Sequence, residues 1–253
     1  MDRRQFLLVA GGALVGTAGG ATTRPAGAGP RARLRIGQIA WAGEPLRVDA
    51  LRRLAWEIEK RTSIEVAEAP IELRLSDAAL FRSPFLYLSG ASAPPLPSED
   101  EVGRLRRHLD LGGFLLADAT CGCSGGEFER GTRALLGRVY PRTSLVPLPH
   151  DHVLWKSFYL LDAAPGRTST APPLALMRDQ RVVAILSAND LGGAWSRDAF
   201  GRWEHEVVPG GQGQRELAFR FGVNLVMYAM CLDYKDDQVH VPFILKRRRW
   251  RTE

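Results

Sequence analysis

Two cysteines one residue apart, Cys121-Gly122-Cys123, stand in a small-residue loop that continues as Ser124-Gly125. The loop joins an apolar run ending at Asp118 to a helical pattern, so either thiol would lie close to a helix N-terminus. Unpaired N–H groups and the positive end of the helix dipole lower a thiol pKa there, and glycine neighbours leave room for a substrate. Asp118, Cys121, Cys123 and His152 also make a mixed oxygen, sulfur and nitrogen set, but Cys-x-Cys is not a standard structural zinc pair, and no metal is assigned. A third reading has the cysteines paired as a reducible disulfide, or one of them bonded to Cys231. Three cysteines are an odd number, so a disulfide framework is not what holds the fold.

Asn189-Asp190 ahead of Leu191-Gly192-Gly193 reads as a turn at a strand end, with Trp195 close by. His150-Asp151-His152 follows Pro147-Leu148-Pro149 and precedes the apolar Val153-Leu154-Trp155. That setting suits an Asx turn at Asp151, with His152 packing or capping.

The elements that must position these residues alternate. Leu34–Trp41 has apolar residues at alternate positions and reads as a strand, and Leu51, Leu54, Ala55 and Ile58 form one stripe of a helix ending near Arg61. A short strand is expected at Ile64–Val66 or Ile71–Leu75, and the continuous run Phe85–Leu88 suits a strand buried on both faces. Ser98 and Glu101 form a capping box behind Pro97, and Gly112-Gly113 ends that helix. Phe114–Asp118 is the next buried strand, Phe128–Val139 a helix, Ser144–Val146 and Arg181–Ser187 later strands, and Arg215–Cys231 the last helix. Strand-helix alternation of this kind implies an α/β, three-layer, mostly parallel sheet with helices on both faces. Ligands bind beyond the carboxyl ends of such strands, which selects the loops Ser89–Ser92, Asp118–Gly126 and Ala188–Trp195.

Arg3-Arg4-Gln5-Phe6-Leu7 opens a weakly apolar stretch, Leu8–Ala18, that leads to a small-x-small site at Ala26-Gly27-Ala28. This is the layout of a twin-arginine export signal over residues 1–28, too short to span a bilayer of about 30 Å. The implied partner is the twin-arginine translocase. The implied location is the periplasm or the outer face of the cytoplasmic membrane. Of 34 basic and 28 acidic residues, eight cations and two anions lie in residues 1–28 and 246–253, which leaves 26 of each in the body. A neutral body argues against a nucleic-acid footprint. Membrane contact is expected only through the signal or the basic tail, residues 246–253, with Trp250 as an interfacial ring. No linker divides residues 34–245, which are expected to form one domain.

The segments PFLYLSG, LRRHLDLGGFLLAD, PLPHDHVLWKSFY, SANDLGGAW and ELAFRFGVNLVMYA, in that order, resemble the bacterial family called domain of unknown function 4159 over most of residues 34–245. That family is similar in turn to the class I glutamine amidotransferase-like fold, including trehalose-utilisation-type proteins, with a flavodoxin-like sheet. The resemblance implies a nucleophile position at Cys121 or Cys123. It implies a late His and Glu whose nearest match is His205-Glu206, adjacent instead of spaced by one residue.

The expected function is binding of a small polar molecule such as a carbohydrate, or of a cell-envelope partner, without turnover, at Ser89, Asp118, Asn189, Asp190 and Trp195. One alternative is a cysteine-dependent hydrolase or amidotransferase-like enzyme using Cys121 or Cys123 with His205 or His152. Another is a scaffold in a cell-envelope complex. No cofactor is indicated.

Overall fold

The computed structural model describes residues 33–230. The segment expected to be an export signal, Cys231 and the basic tail fall outside the described residues.

The described chain runs β1 (Ile36–Ile39), α1 (Val48–Arg61), β2 (Ile71–Leu73), β3 (Phe85–Gly90), α2 (Glu99–Asp110), β4 (Phe114–Ala119), α3 (Glu127–Val139), β5 (Leu145–Pro147), β6 (Leu174–Arg178), β7 (Arg181–Ser187), the one-turn α4 (Leu191–Trp195) and α5 (Gly211–Met230). The strands form one seven-stranded sheet in the order β2-β1-β3-β4-β7-β6-β5. From β2 to β7 every pairing is parallel, whereas β6 and β5 run antiparallel. The fold is therefore mixed α/β with a mostly parallel sheet.

Strand β6 has no counterpart in the sequence expectations. It pairs with β7 through a two-residue turn, Asp179-Gln180, with both φ angles positive at 47° and 65°. That is the backbone a tight hairpin requires, and Asp tolerates it better than most residues.

Both faces of the sheet are covered. Phe85 and Tyr87 of β3, Phe114 and Leu116 of β4 and Ile185 of β7 share one core with Leu51, Leu54 and Ile58 of α1, Trp195 of α4 and Phe221 and Leu225 of α5. The alternate residues Leu86, Leu88, Leu115, Ala117 and Leu186 pack with Val102, Leu105 and Leu109 of α2 and Leu135, Leu136 and Val139 of α3. Burial on both sides is why these strands read as unbroken apolar runs.

Helix α2 starts as its sequence dictates. Ser98 Oγ accepts from the Glu101 N–H at 3.3 Å, and Glu101 Oε2 accepts from the Ser98 N–H at 2.8 Å. It stops at Gly112, whose φ of 108° ends the helical path.

Helix α5 lies against α1 and α4 at Gly222, where a Cβ would meet Leu54 Cδ1 at 2.7 Å and Trp195 Cζ2 at 2.8 Å. A Cβ at Gly213 of the same helix would meet nothing within 4 Å. Gly222→Ala should therefore lower stability by about 1–3 kcal/mol through overpacking. Gly213→Ala should raise it by up to ~1 kcal/mol through helix propensity. Chemical denaturation of the two variants checks the pair.

Candidate functional site

The carboxyl ends of β3, β4 and β7 lie side by side, with Ser89 opposite Asp118 and Asp118 opposite Ser187. The loops expected to bind ligand thus leave one rim of the sheet together. What they build there is a closed polar node.

Asp118 is fully buried at the end of β4. Its Oδ1 accepts the Leu191 N–H at 2.9 Å, and its Oδ2 accepts the Gly192 N–H at 2.7 Å and the Tyr87 hydroxyl at 2.8 Å. The carboxylate therefore binds the first N–H groups of α4, which have no acceptor within so short a helix. Asp190 sits in the left-handed region at φ 54°, and its Oδ1 accepts the Gly193 N–H at 2.9 Å. Arg167 Nε donates to Asp190 Oδ2, and Arg47 Nη2 lies 3.7 Å from Asp190 Oδ1.

Two glycines make this packing possible. A Cβ on Gly192 would lie 2.4 Å from Tyr87 Oη, and one on Gly193 would lie 2.2 Å from Asp190 Oδ2. Burial, followed by the neighbouring Asp190, raises the Asp118 pKa to about 7, against the lowering effect of its three donors. Burial and the Asp118 charge together push the Tyr87 phenol well above its usual range.

The remaining expected ligand residues are also enclosed. Asn189 is 3% exposed; its Oδ1 accepts from the Thr170 and Ala171 N–H groups and its Nδ2 donates to the Ala164 and Ala171 carbonyls. The side chain is a clasp for the 164–171 segment. Trp195 was expected beside a ligand crevice, but it is fully buried, its ring 6.5 Å from that of Tyr87 and 6.4 Å from that of Phe219. It is a core residue, because α4 turns its apolar side inward once Asp118 has fixed its start. Ser89 is buried too, and its Oγ has no hydrogen-bond partner among the described residues.

Cys121 and Cys123 are bonded to each other. Neither is a thiol here, so neither is poised as a nucleophile. Gly122 between them has φ 65°, and its carbonyl accepts from Thr168 Oγ1 at 2.9 Å. Arg167 Nη2 donates to the Cys121 carbonyl at 3.1 Å.

The two imidazoles have other places. His152 caps the short 3-10 turn Val153–Lys156, its Nδ1 accepting from the Leu154 N–H at 3.1 Å. Its ring packs on Tyr228, whose hydroxyl accepts from the Val182 N–H at the start of β7. That is the rim opposite the disulfide. His205 faces Glu204 Oε1 at 3.8 Å, and its carbonyl accepts from Arg215. Among the described residues no hydrogen bond joins either imidazole to a cysteine sulfur, and no group of three or more His, Cys, Asp or Glu could hold a metal ion.

An open site lies further along the same rim. Over the carboxyl ends of β1 and β3 is a cleft of about 560 Å³, lined by Trp41 and Leu88, by the charged Glu72, Arg74 and Glu101, and by the Pro94–Pro97 segment. Trp41 Nε1 donates to the Ser89 carbonyl at 3.2 Å, and Gly90 lets the ring lie close, since a Cβ there would meet Trp41 Cζ2 at 2.4 Å. Glu44 Oε1 accepts the Ser92 N–H at 2.8 Å and ties the loop after β1 to the loop after β3. Arg74 and Glu72 are exposed and make no ion pair among the described residues. Sequence reasoning selected the Ser89–Ser92 loop, which lies beside this cleft without lining it, and missed Trp41, Glu72 and Arg74. Their meeting depends on β1 lying between β2 and β3, an order that no local pattern encodes.

The model of the family named Domain of unknown function (DUF4159) matches residues 32–230. The chain belongs to that family. No curated protein matches it.

The Asp118 node has a pH signature. A carboxyl whose folded pKa lies above its unfolded value favours folding most at low pH, and that advantage is lost as pH rises through the folded pKa. Burial lowers the pKa of His108, to about 4, and of His152, and both act in the opposite sense. The stability of wild type relative to Asp118→Asn should therefore fall between about pH 4 and pH 8, with a limiting slope near 1.4 kcal/mol per pH unit. Urea denaturation of both proteins across that range checks it; a difference independent of pH would refute it.

Proposed function

We propose that this chain is an exported, non-catalytic binding domain for a small polar molecule, and that the molecule lies in the cleft between Trp41 and Arg74. The observation that carries the reading is that this cleft is open and chemically mixed, while the Asp118 and Asp190 side chains are occupied by the protein's own N–H groups and guanidinium groups. Its volume is in the range of small-molecule sites. An indole face beside prolines and leucines, with the carboxylates of Glu72 and Glu101 and the guanidinium of Arg74 in the lining, suits a ligand with an apolar face and hydroxyl or amide edges, such as a carbohydrate of the cell envelope.

The fold supports the placement. Taken alone, the parallel strands β1, β2, β3, β4 and β7 follow the order 2-1-3-4-5, that of flavodoxin-like sheets, and the order reverses between β1 and β3. Ligands in such sheets bind outside the carboxyl ends of the strands at that reversal. This order supports reading the chain as a member of the flavodoxin-like, class I glutamine amidotransferase-like group. A cysteine hydrolase has less support, because both candidate sulfurs are in a disulfide and His152 lies on the other rim.

Binding of neutral and N-acetylated sugars, followed by calorimetry, tests the reading. Trp41→Ala should weaken the affinity about fivefold or more, as expected for loss of ~1–3 kcal/mol of aromatic contact, while circular dichroism stays that of wild type. Asp190→Ala, if it folds, should leave affinity within about twofold. An affinity unchanged by Trp41→Ala and by Arg74→Ala would refute the site.

Export through the twin-arginine translocase rests on residues 1–28. Replacing Arg3 and Arg4 by Lys should keep the folded protein in the cytoplasm, as fractionation of cells expressing the full chain would show.

A further inference from the structure

The bridge between Cys121 and Cys123 stands apart from the cleft and calls for its own account. A disulfide adds to stability chiefly by restricting the unfolded chain, and least when the loop it closes is short. Here one residue separates the cysteines, so the bridge contributes little as a staple. Its surroundings are those of a reacting group. Cys123 is exposed, whereas Cys121 is half-buried and packs at the edge of the α2–α3 core.

Both sulfurs lie over the start of α3. A Cβ added to Gly126, the residue that precedes this helix, would be 3.2 Å from Cys123 Sγ and 3.3 Å from Cys121 Sγ. Glycine at this position leaves the approach to the bridge open. The Cys123 N–H lies 3.2 Å from Cys121 Sγ, positioned to donate to a thiolate formed there. Arg167 Nη2 donates to the Cys121 carbonyl and so holds the backbone of that residue. Glu129, in the first turn of α3, has its carboxylate held by the Gly125 N–H and by Arg133. The backbone of the loop is held by Arg167 at the Cys121 carbonyl and by Thr168 at the Gly122 carbonyl, with no bond from either to sulfur.

We propose that Cys121–Cys123 is a thiol–disulfide exchange site whose substrate is a dithiol, with Cys123 the sulfur attacked and Cys121 the leaving group. A donor thiolate bonds to Cys123 Sγ as the Cys121–Cys123 bond breaks, and the electron pair leaves on Cys121 as a thiolate. The donor's second thiolate then attacks the donor sulfur of the mixed disulfide and releases Cys123 as a thiolate. The donor ends as a disulfide, the protein as a dithiol, and both protein thiolates take protons from water. A monothiol donor lacks the second step, and Cys121, held two residues away, displaces it.

The test uses the full chain with Cys231→Ser, so that only this pair reacts. Folded protein is equilibrated with graded ratios of reduced and oxidised dithiothreitol, quenched with acid, alkylated and weighed by mass spectrometry. The pair should interconvert fully and reversibly while circular dichroism is unchanged. With Cys121→Ser added, glutathione disulfide should label Cys123 at least tenfold faster than it labels Cys121 in the Cys123→Ser variant. Reduction that requires denaturant, or equal labelling of the two cysteines in folded variants, would overturn the proposal. Neither result depends on sugar binding at the cleft, so the two readings stand or fall separately.

Discussion

A buried carboxylate accepting the first N–H groups of a one-turn helix is the constraint on which the rest of this structure depends. α4 is too short to satisfy its own N-terminal donors, and it is buried along its whole length. Without Asp118 those N–H groups would be desolvated and unpaired, each at a cost of roughly 1–3 kcal/mol. With Asp118 in place, α4 is held at the rim, Trp195 is buried in the core, and α1 and α5 both pack against α4. One side chain thereby couples the end of a central strand to a three-helix layer.

That role also fixes the chemistry of the rim. Asp118 and Asp190 would repel one another in a dry interior were their charges not balanced. The balance comes from Arg167 and Arg47 on Asp190, and from N–H and hydroxyl donors on Asp118. A network satisfied on all sides gains rigidity and loses the capacity to bind anything else. At β4 and β7 the two carboxylates that invite a functional reading are therefore sealed in by their own partners. The half of the rim at β1 and β3, whose residues are unremarkable one by one, is left open.

Much of the fold was legible because its causes are local. The Ser98–Glu101 capping box, the stripe Leu51-Leu54-Ala55-Ile58 and the runs Phe85–Leu88 and Phe114–Asp118 act over a few residues, and each element is found where its pattern placed it. β6 was not legible, since Leu174–Arg178 has no period that separates strand from helix and its pairing rests on the Asp179-Gln180 turn. The site was legible in part. That Asp118 and Asp190 converge follows from parallel strands ending on one rim; that they face each other's partners and not solvent follows from α4, a helix too short to carry a periodic signal. Trp195 shows the difficulty most sharply. An aromatic residue near two carboxylates reads as a ligand platform until the burial of its neighbours is known.

The Cys121–Cys123 bridge and the Asp190 ion pair share one arginine. Arg167 holds Asp190 through Nε and the carbonyls of Thr120 and Cys121 through Nη2, and Thr168 beside it holds the Gly122 carbonyl. The disulfide loop is thus fastened to the same node that anchors α4, and it is fastened through its backbone carbonyls, not through sulfur. Those bonds place no demand on whether the two sulfurs are joined. A change at the sulfurs can therefore leave the sheet, the node and the helix layer as they are, which is the property an exchange site on a load-carrying loop requires.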